Sequence, residues 1–345
     1  MIKIRNNNKG LIIVVALWIV AILTLLAIGL AYRISIELHL VKFSRDMLKA
    51  RLACESGYEF ASQVLAEDLN DFDSFNETWS KGMVLGRDES IFKDYRLKEA
   101  AFTIFSATDN QDSCANALYG LSDEGSKLNI NKASVAELET FFSQLGIENP
   151  REITNSIQDW IDSDDITSFD GAEDDYYGSL AVPINCKNAP IAVIEELLLI
   201  KGMDEEKFEK IKPFVTVYGD GKININTVDE AVLRSLLISR GALDTTAAKL
   251  AKEIIAYRFG PDACLATPDD GVLERLEDIS LALSSPFSLA AFSKCSDRLK
   301  FTSEIFRANI SARALKTDVK KKAAALLKKD KLNVTMPELI YWQEE

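Results

Sequence analysis

Histidine is almost absent: His39 is the only one in 345 residues. A Ser-His-Asp or Cys-His system would have to use it, yet it follows a long apolar run on what the spacing predicts to be one continuing helix. Histidine-based catalysis is therefore set aside. Cysteine is sparse as well. Cys54, Cys114, Cys186, Cys264 and Cys295 stand far apart and none forms a C-x-x-C pair, so zinc-ribbon spacing is missing. Beyond a membrane a disulfide is permitted, and Cys264 with Cys295 closes the shortest loop; the odd count leaves at least one thiol free. Positive charge is also in deficit. A net charge of −13 repels phosphate backbones, argues against general nucleic-acid binding, and suits cations or basic partners.

What is present in quantity is one apolar run, 11–32, LIIVVALWIVAILTLLAIGLAY. At about 1.5 Å per residue it makes a helix of roughly 33 Å, enough to cross a bilayer core. Residues 1–10 carry Lys3, Arg5 and Lys9 and no acid, which keeps this end cytoplasmic and sends the rest outward. The run is too long for an ordinary secretory signal, and no small-x-small site closes it. Gly10 precedes the run instead. That arrangement resembles a type IV prepilin leader, cut between Gly10 and Leu11; a plain uncleaved signal anchor is the alternative. Cutting there lowers the net charge to −16.

From Arg33 to about Ala66 no proline intervenes, and Ile36, Leu40, Phe43, Leu48, Leu52, Tyr58 and Phe60 mark an apolar stripe. The spacing predicts an amphipathic stalk continuous with the membrane helix. After a polar loop, 101–106 and 117–121 read as short strands. Two segments then echo each other, LNINKAS at 128–134 and ININTVD at 223–229, each a short strand before an amphipathic helix, 135–145 and 228–237. Ser134 or Thr227 supplies a helix cap. A third helical pair, 190–200 and 204–211, surrounds Gly202. The echo is similar to the start of helix-hairpin-helix DNA modules, and a membrane-anchored DNA-binding protein of an uptake system is the alternative function. The hairpins lack the G-x-G cradle for phosphate, so packing units are the better reading.

Residues 159–177, DWIDSDDITSFDGAEDDYY, hold eight carboxylates: Asp159, Asp162, Asp164, Asp165, Asp170, Glu173, Asp174 and Asp175. Crowded carboxylates repel unless a cation sits among them, and hard oxygen ligands in a loop suit calcium. Ile166 and Thr167 fall where a twelve-residue EF-hand loop needs a ligand and a glycine, so the expected site is an irregular cage of Asp162, Asp164, Glu173, Asp174 and Asp175. A solvated acidic loop is the bland alternative. Trp160, Phe169, Tyr176 and Tyr177 suggest a loop folded back on a core. Near the end, 305–315 reads as a strand and 339–342 as a short apolar stretch. Between them 316–331, with seven lysines, reads as helix or strand, its lysines forming a solvated face or a protected sheet edge.

In order along the chain, Gly10 before its apolar run, SKLNIN (126–131), DWIDSDD (159–165), GAEDDYY (171–177), ELLLIKGMD (196–204) and ININT (223–227) resemble the general secretion pathway protein K family, the large minor pseudopilins of type II secretion. The resemblance implies an α+β fold: a long N-terminal transmembrane and stalk helix with a pilin-like antiparallel sheet, split in sequence by a large, mainly α-helical insertion. It divides the chain into a leader (1–10), a transmembrane helix (11–32), a stalk with the first part of the sheet (33–125), the insertion (126–297) and completing strands (298–345), and favours strand for the lysine-rich span. It also implies no enzyme activity, calcium in the insertion, and a single-pass inner-membrane protein with its C-terminal region in the periplasm. Implied partners are other minor pseudopilins (I and J types) through the N-terminal helix, the prepilin peptidase and the inner-membrane secretion platform, with no nucleic acid. Most pilins carry Glu at the fifth position after the cut; here it is Val15, as in family members, which fits a filament tip.

Overall fold

The computed structural model describes residues 8–81, 89–106, 119–265, 267, 269–284, 286–330 and 335–344. One helix, α1 (Asn8–Ala66), runs unbroken through the apolar segment into the folded body. It is the one helix among the described residues long and apolar enough to cross a membrane, and its apolar window is wholly unburied. A short helix, α2 (Thr78–Lys81), follows.

The C-terminal part of α1 lies on an antiparallel sheet built from both ends of the chain: β1 (Tyr95–Arg96), β2 (Ala100–Phe105) and β3 (Ser122–Asp123), then β8 (Ile305–Ala314), β9 (Lys320–Lys328) and β10 (Glu338–Glu344). The order is β1-β2-β8-β9-β10, with β3 also on β8. Alternation along β8 puts Phe306, Ala308, Ile310 and Ala312 inward, where they meet Ala323, Ala325 and Leu327 of β9. The lysine-rich span is thus a strand, and an interior one. Its alternation decides the matter over local helix propensity, and the predicted protected edge is corrected: β9 pairs on both sides. The expected strand at 117–121 is corrected too. Tyr119 forms only an isolated bridge to Phe105, the ladder resumes at β3, and 117–118 lie outside the described residues.

Of the expected stripe, Tyr58 and Phe60 pack on the sheet's core and the rest do not. Ile36, Leu40, Phe43, Leu48 and Leu52 are exposed, whereas Ala50, Ala53, Cys54, Ala61 and Leu65 are buried. Small residues win that face because the helix comes very close to the strands. A Cβ on Gly57 would stand 2.9 Å from Ile310 Cγ2 and 3.2 Å from Phe102 Cδ2. Gly57→Val should therefore cost about 2–3 kcal/mol by overpacking, outweighing the roughly 1 kcal/mol that leaving glycine gains a helix. The readout is the melting temperature of the detergent-solubilised chain, which should fall by about 2–5 °C; an unchanged value would mean the helix can lift off the sheet.

The insertion carries its own core, which includes Phe141, Phe142, Ile157, Trp160, Tyr177, Leu236 and Phe292. It comprises α3 (Val135–Gln144), α4 (Pro150–Ile161), α5 (Asp174–Gly178), α6 (Glu205–Ile211), α7 (Glu230–Ser239), α8 (Asp244–Phe259), α9 (Ile279–Ala282) and α10 (Pro286–Ser293). Two small parallel ladders stitch it: β4 (Leu128–Asn129) on β5 (Val215–Thr216), and β6 (Ile223–Asn224) on β7 (Leu299–Lys300). The segment expected helical at 190–200 narrows to a 3-10 turn, Ile194–Leu199.

The echoed asparagines have one job done twice. In each copy the first asparagine accepts from the backbone N–H two residues on, Asn129 from Asn131 at 2.9 Å and Asn224 from Asn226 at 3.0 Å. The second clasps a distant backbone from both sides: Asn131 on Ile191, Asn226 on Leu273. Buried N–H and C=O groups of irregular segments are thereby paired. Ser134 caps α3 with a full capping box, as expected. Thr227 does not cap α7. Asp229 does, and the Thr227 hydroxyl instead donates to Asp123 at 2.5 Å.

The disulfide expectation fails as well. Cys295 is a free, buried thiol and Cys264 is disulfide-bonded, so those two are not partners. Cys54 and Cys186 are also free; Cys114 lies outside the described residues.

Candidate metal centre

The acidic loop hangs from the C-terminal end of α4 and returns through α5. Its anchor is Asp159, fully buried, whose carboxylate accepts from the backbone N–H of Ser168 and, at 2.8 Å, of Ala172. Gly171 is demanded by that approach: a Cβ there would fall 2.0 Å from Asp159 Oδ2. Lys201, from the K-G-M-D turn, straps the loop from outside by donating to the carbonyls of Asp170 and Gly171 at 3.0 and 3.1 Å. Trp160 and Tyr177 are buried against each other edge to face, their ring centroids 5.0 Å apart. Phe169 stays exposed. Two of the four aromatics therefore fold back on the core in full.

Among the five expected ligands, Glu173 stands out. Its side chain is 3% exposed, and no N–H or O–H reaches either carboxylate oxygen. Its neighbours are the Cys186 thiol and further carboxylates. Burial pushes the Glu173 pKa up, and Asp159, Asp162 and Asp165 push it further. Burial, Asp164 and Asp159 raise that of Asp162. Burial and Glu173 drive the Cys186 thiol up to about 12.

The others are partly committed. Asp164 Oδ1 accepts from Ile166 N–H at 2.9 Å, Asp174 Oδ1 accepts from Cys186 N–H at 2.7 Å, and Asp175 is exposed on the first turn of α5. No three of the five bring carboxylate oxygens within 4.8 Å of one another. Two residues outside the expected set join the neighbourhood. Asn188 donates to Asp165 at 3.0 Å while its own Oδ1 is buried without a partner. The periodicity of α4 could have singled out Asp159, three residues after the buried Ser156; nothing local marks Cys186 or Asn188.

The residues fit a hard cation. A buried carboxylate surrounded by carboxylates is costly unless it is protonated or paired with positive charge, and Glu173 has no salt bridge and no N–H or O–H donor, only the weak S–H of Cys186. Glu173, Asp162, Asp165 and the Asn188 carbonyl are oxygen donors of the kind calcium takes six to eight of. A bound ion would supply the charge this loop lacks.

Two other acidic clusters are differently constituted. Asp68, Asp73 and Glu77 converge, but Lys329 already sits among them, 2.7 Å from Asp68 and 3.7 Å from Asp73. Burial and Asp68 push Glu77 up to about 7. Asp262, Asp269 and Asp270 form an exposed turn in which the Thr267 hydroxyl meets both Asp269 and Asp270. A cavity of about 550 Å³ also opens between sheet and insertion, walled by Phe75, Phe214, Tyr218, Glu124 and Arg258 among others. Its charged walls have protein partners: Lys127 and Arg307 hold Glu124 at about 2 against the effect of burial, and Arg258 donates to Val228 O at 2.6 Å.

The family model described as type II secretion system (T2SS), protein K, matches residues 113–220, the start of the insertion and the acidic loop. A putative type II secretion system protein K of Escherichia coli K12 is 25% identical over 227 residues, 64% of this chain and 66% of that one. The type II secretion system protein K of Pectobacterium carotovorum is 35% identical over 118 residues, 33% of this chain and 35% of its own. These matches thus span about two thirds and about one third of those relatives. The fold is similar to a chain in the crystal structure of the GspK-GspI-GspJ complex from the enterotoxigenic Escherichia coli type 2 secretion system, with a TM-score of 0.65 at 18% identity, covering 88% of this chain and 99% of that one.

A long apolar helix laid on a split antiparallel sheet, with a helical insertion bearing an acidic loop, is the α+β architecture shared with that chain. This chain is similar to type II secretion system protein K over residues 113–220, and in fold to a chain of that complex.

Proposed function

We propose that this chain is the tip subunit of the type II secretion pseudopilus, docking through α1 with I- and J-type minor pseudopilins and priming filament assembly for protein export. The carrying observation is the stalk. Beyond the apolar run, Ile34, Ile36, Leu38, Leu40, Val41, Phe43, Leu48 and Leu52 remain exposed, and as far as Arg45 the helix stands clear of the folded body on every side. That much apolar surface on one rigid element calls for neighbouring helices. Val15 supports the terminal position, because a subunit with no neighbour above it has no N-terminal amine to neutralise. The insertion, as large as the rest of the body, would obstruct stacking on top.

The proposal extends to processing between Gly10 and Leu11 by the prepilin peptidase, engagement of the inner-membrane secretion platform, a periplasmic body, and calcium on the acidic loop. The role is structural, with no catalytic site assigned. The DNA alternative loses ground at the hairpins: the N–H groups of Gly146 and Ile147 donate to Ser143 and Phe142, and those of Gly241 and Ala242 to Ile238 and Leu237. The helix ends consume what a phosphate cradle would need.

Co-purification of the full-length chain with I- and J-type pseudopilins from membranes, together with mass spectrometry of its N-terminus, tests the reading. A chain beginning at Leu11 and found only at filament ends is expected. One that still begins at Met1, or is spread evenly along filaments, would sink it.

A further inference from the structure

The two edges of the sheet are not alike. On one side β1 stops after two residues, with Arg96 and Lys98 at its end, which is how sheets commonly blunt an edge. On the other side β10 runs for seven residues, ELIYWQE, with no lysine, arginine or proline inside it. It pairs inward with β9. Among the described residues, no backbone or side-chain group outside that ladder hydrogen-bonds to the main chain of 338–344. Its outer N–H and C=O groups are therefore a template for another strand. The irregularity between Leu339 and Tyr341 bends the strand once and leaves 341–344 regularly paired behind it.

Charge says which strand. Laid antiparallel on a second copy in full overlap, β10 would set Glu338 opposite Glu344 at both ends, and like charges directly opposite destabilise a pair. A second copy is thus disfavoured. On its inner side Glu338 already faces Lys328 of β9 across the ladder. Glu344 lies 3.0 Å from Arg51 of the stalk. Both acids already keep cationic company, and the apolar centre of the strand, Leu339 to Trp342, lies between them.

We infer that β10 is a docking edge that accepts, by antiparallel strand addition, an extended segment of another protein with basic residues opposite Glu338 and Glu344 and β-branched or apolar residues between. Main-chain bonds supply affinity, and the two glutamates select the partner and reject self-pairing.

The test uses the full-length chain in detergent micelles and two capped, fluorescein-labelled heptapeptides, KTVTVTK and ETVTVTE. Fluorescence anisotropy should show KTVTVTK binding at least tenfold more tightly, and hydrogen exchange should slow at the amides of 338–344 when it binds. In Glu338→Lys, an exposed position, the preference should weaken or reverse. That variant should also self-associate, because the introduced ammonium would then face Glu344 of a second copy. Equal affinity for the two peptides, or unchanged exchange along β10, overturns the inference. So does self-association of the wild-type chain through this edge, which would make the occupant a second copy.

Discussion

In calcium-free buffer at neutral pH, Glu173→Gln is expected to melt higher than the wild-type chain, and in millimolar calcium lower. The wild-type carboxylate is buried, lacks an N–H or O–H donor, and faces Asp159, Asp162 and Asp165. Without a cation its charge opposes folding; an amide of the same shape removes that penalty. With calcium the sign inverts, since an ion that binds only the folded state stabilises it by about 2.7 kcal/mol at a hundred times its dissociation constant. The pH dependence follows from the raised pKa. A carboxyl that titrates higher in the folded chain than the ordinary 4.5 contributes stability that is whole below that value and lost as pH rises through the folded pKa. In the absence of calcium, wild-type stability should fall across that window more steeply than that of Glu173→Gln. Thermal melts of both proteins, with and without calcium, check every part. A wild-type chain indifferent to millimolar calcium would leave the loop simply solvated.

The second large effect is expected at Asn224, where insertion and sheet are joined. Its amide donates at 3.0 Å to the Asp73 carbonyl, Asp123 Oδ2 and Ser303 Oγ, all in the interior. Asp123 is a fully buried carboxylate whose pKa burial raises, and it survives through its donors: Ser303 at 2.6 Å, Thr227 at 2.5 Å, Gly125 N–H at 2.6 Å and Asn224 itself. A hydrogen bond to a charged group is worth about 1.5–3 kcal/mol, and the same amide also serves two further buried acceptors. Asn224→Ala should therefore destabilise by about 3 kcal/mol or more. Calorimetry should show one melting transition splitting into two as the sheet and insertion uncouple. The same change at Asn129, the counterpart in the first echo, should cost only about 1–2 kcal/mol, because its amide serves the neutral carbonyls of Tyr218 and Gly219. Equal losses at the two positions would show that the joint is not what Asn224 supports.

Much of the architecture was legible before any fold was known, where one local rule governs. The unbroken helix from the apolar run into the stalk, the Ser134 cap, the two echoed strand-helix starts and the strand at 305–314 all follow from periodicity and capping chemistry. Where two partners decide, sequence reasoning fell short. The stalk's stripe calls for a partner without naming it: at Gly57 the sheet comes so close that only small side chains fit, and Ile36, Leu40, Phe43, Leu48 and Leu52 stay exposed. Thr227 looked like a cap, but Asp123 takes its hydroxyl from 104 residues away. Cys264 and Cys295 were near in sequence and are unpaired with each other in space.

The sequence by itself determined that this protein is anchored by one helix, carries an acid-rich loop and repeats one asparagine motif, since length, charge and spacing are properties of the chain alone. Only the tertiary structure decided that Glu173 is a buried carboxylate left without an N–H or O–H donor, that β9 is interior while β10 is the open edge, and that one of two equivalent asparagines joins the halves. Those outcomes depend on which groups long-range packing seals from water and which it leaves unpaired, and no local pattern encodes that.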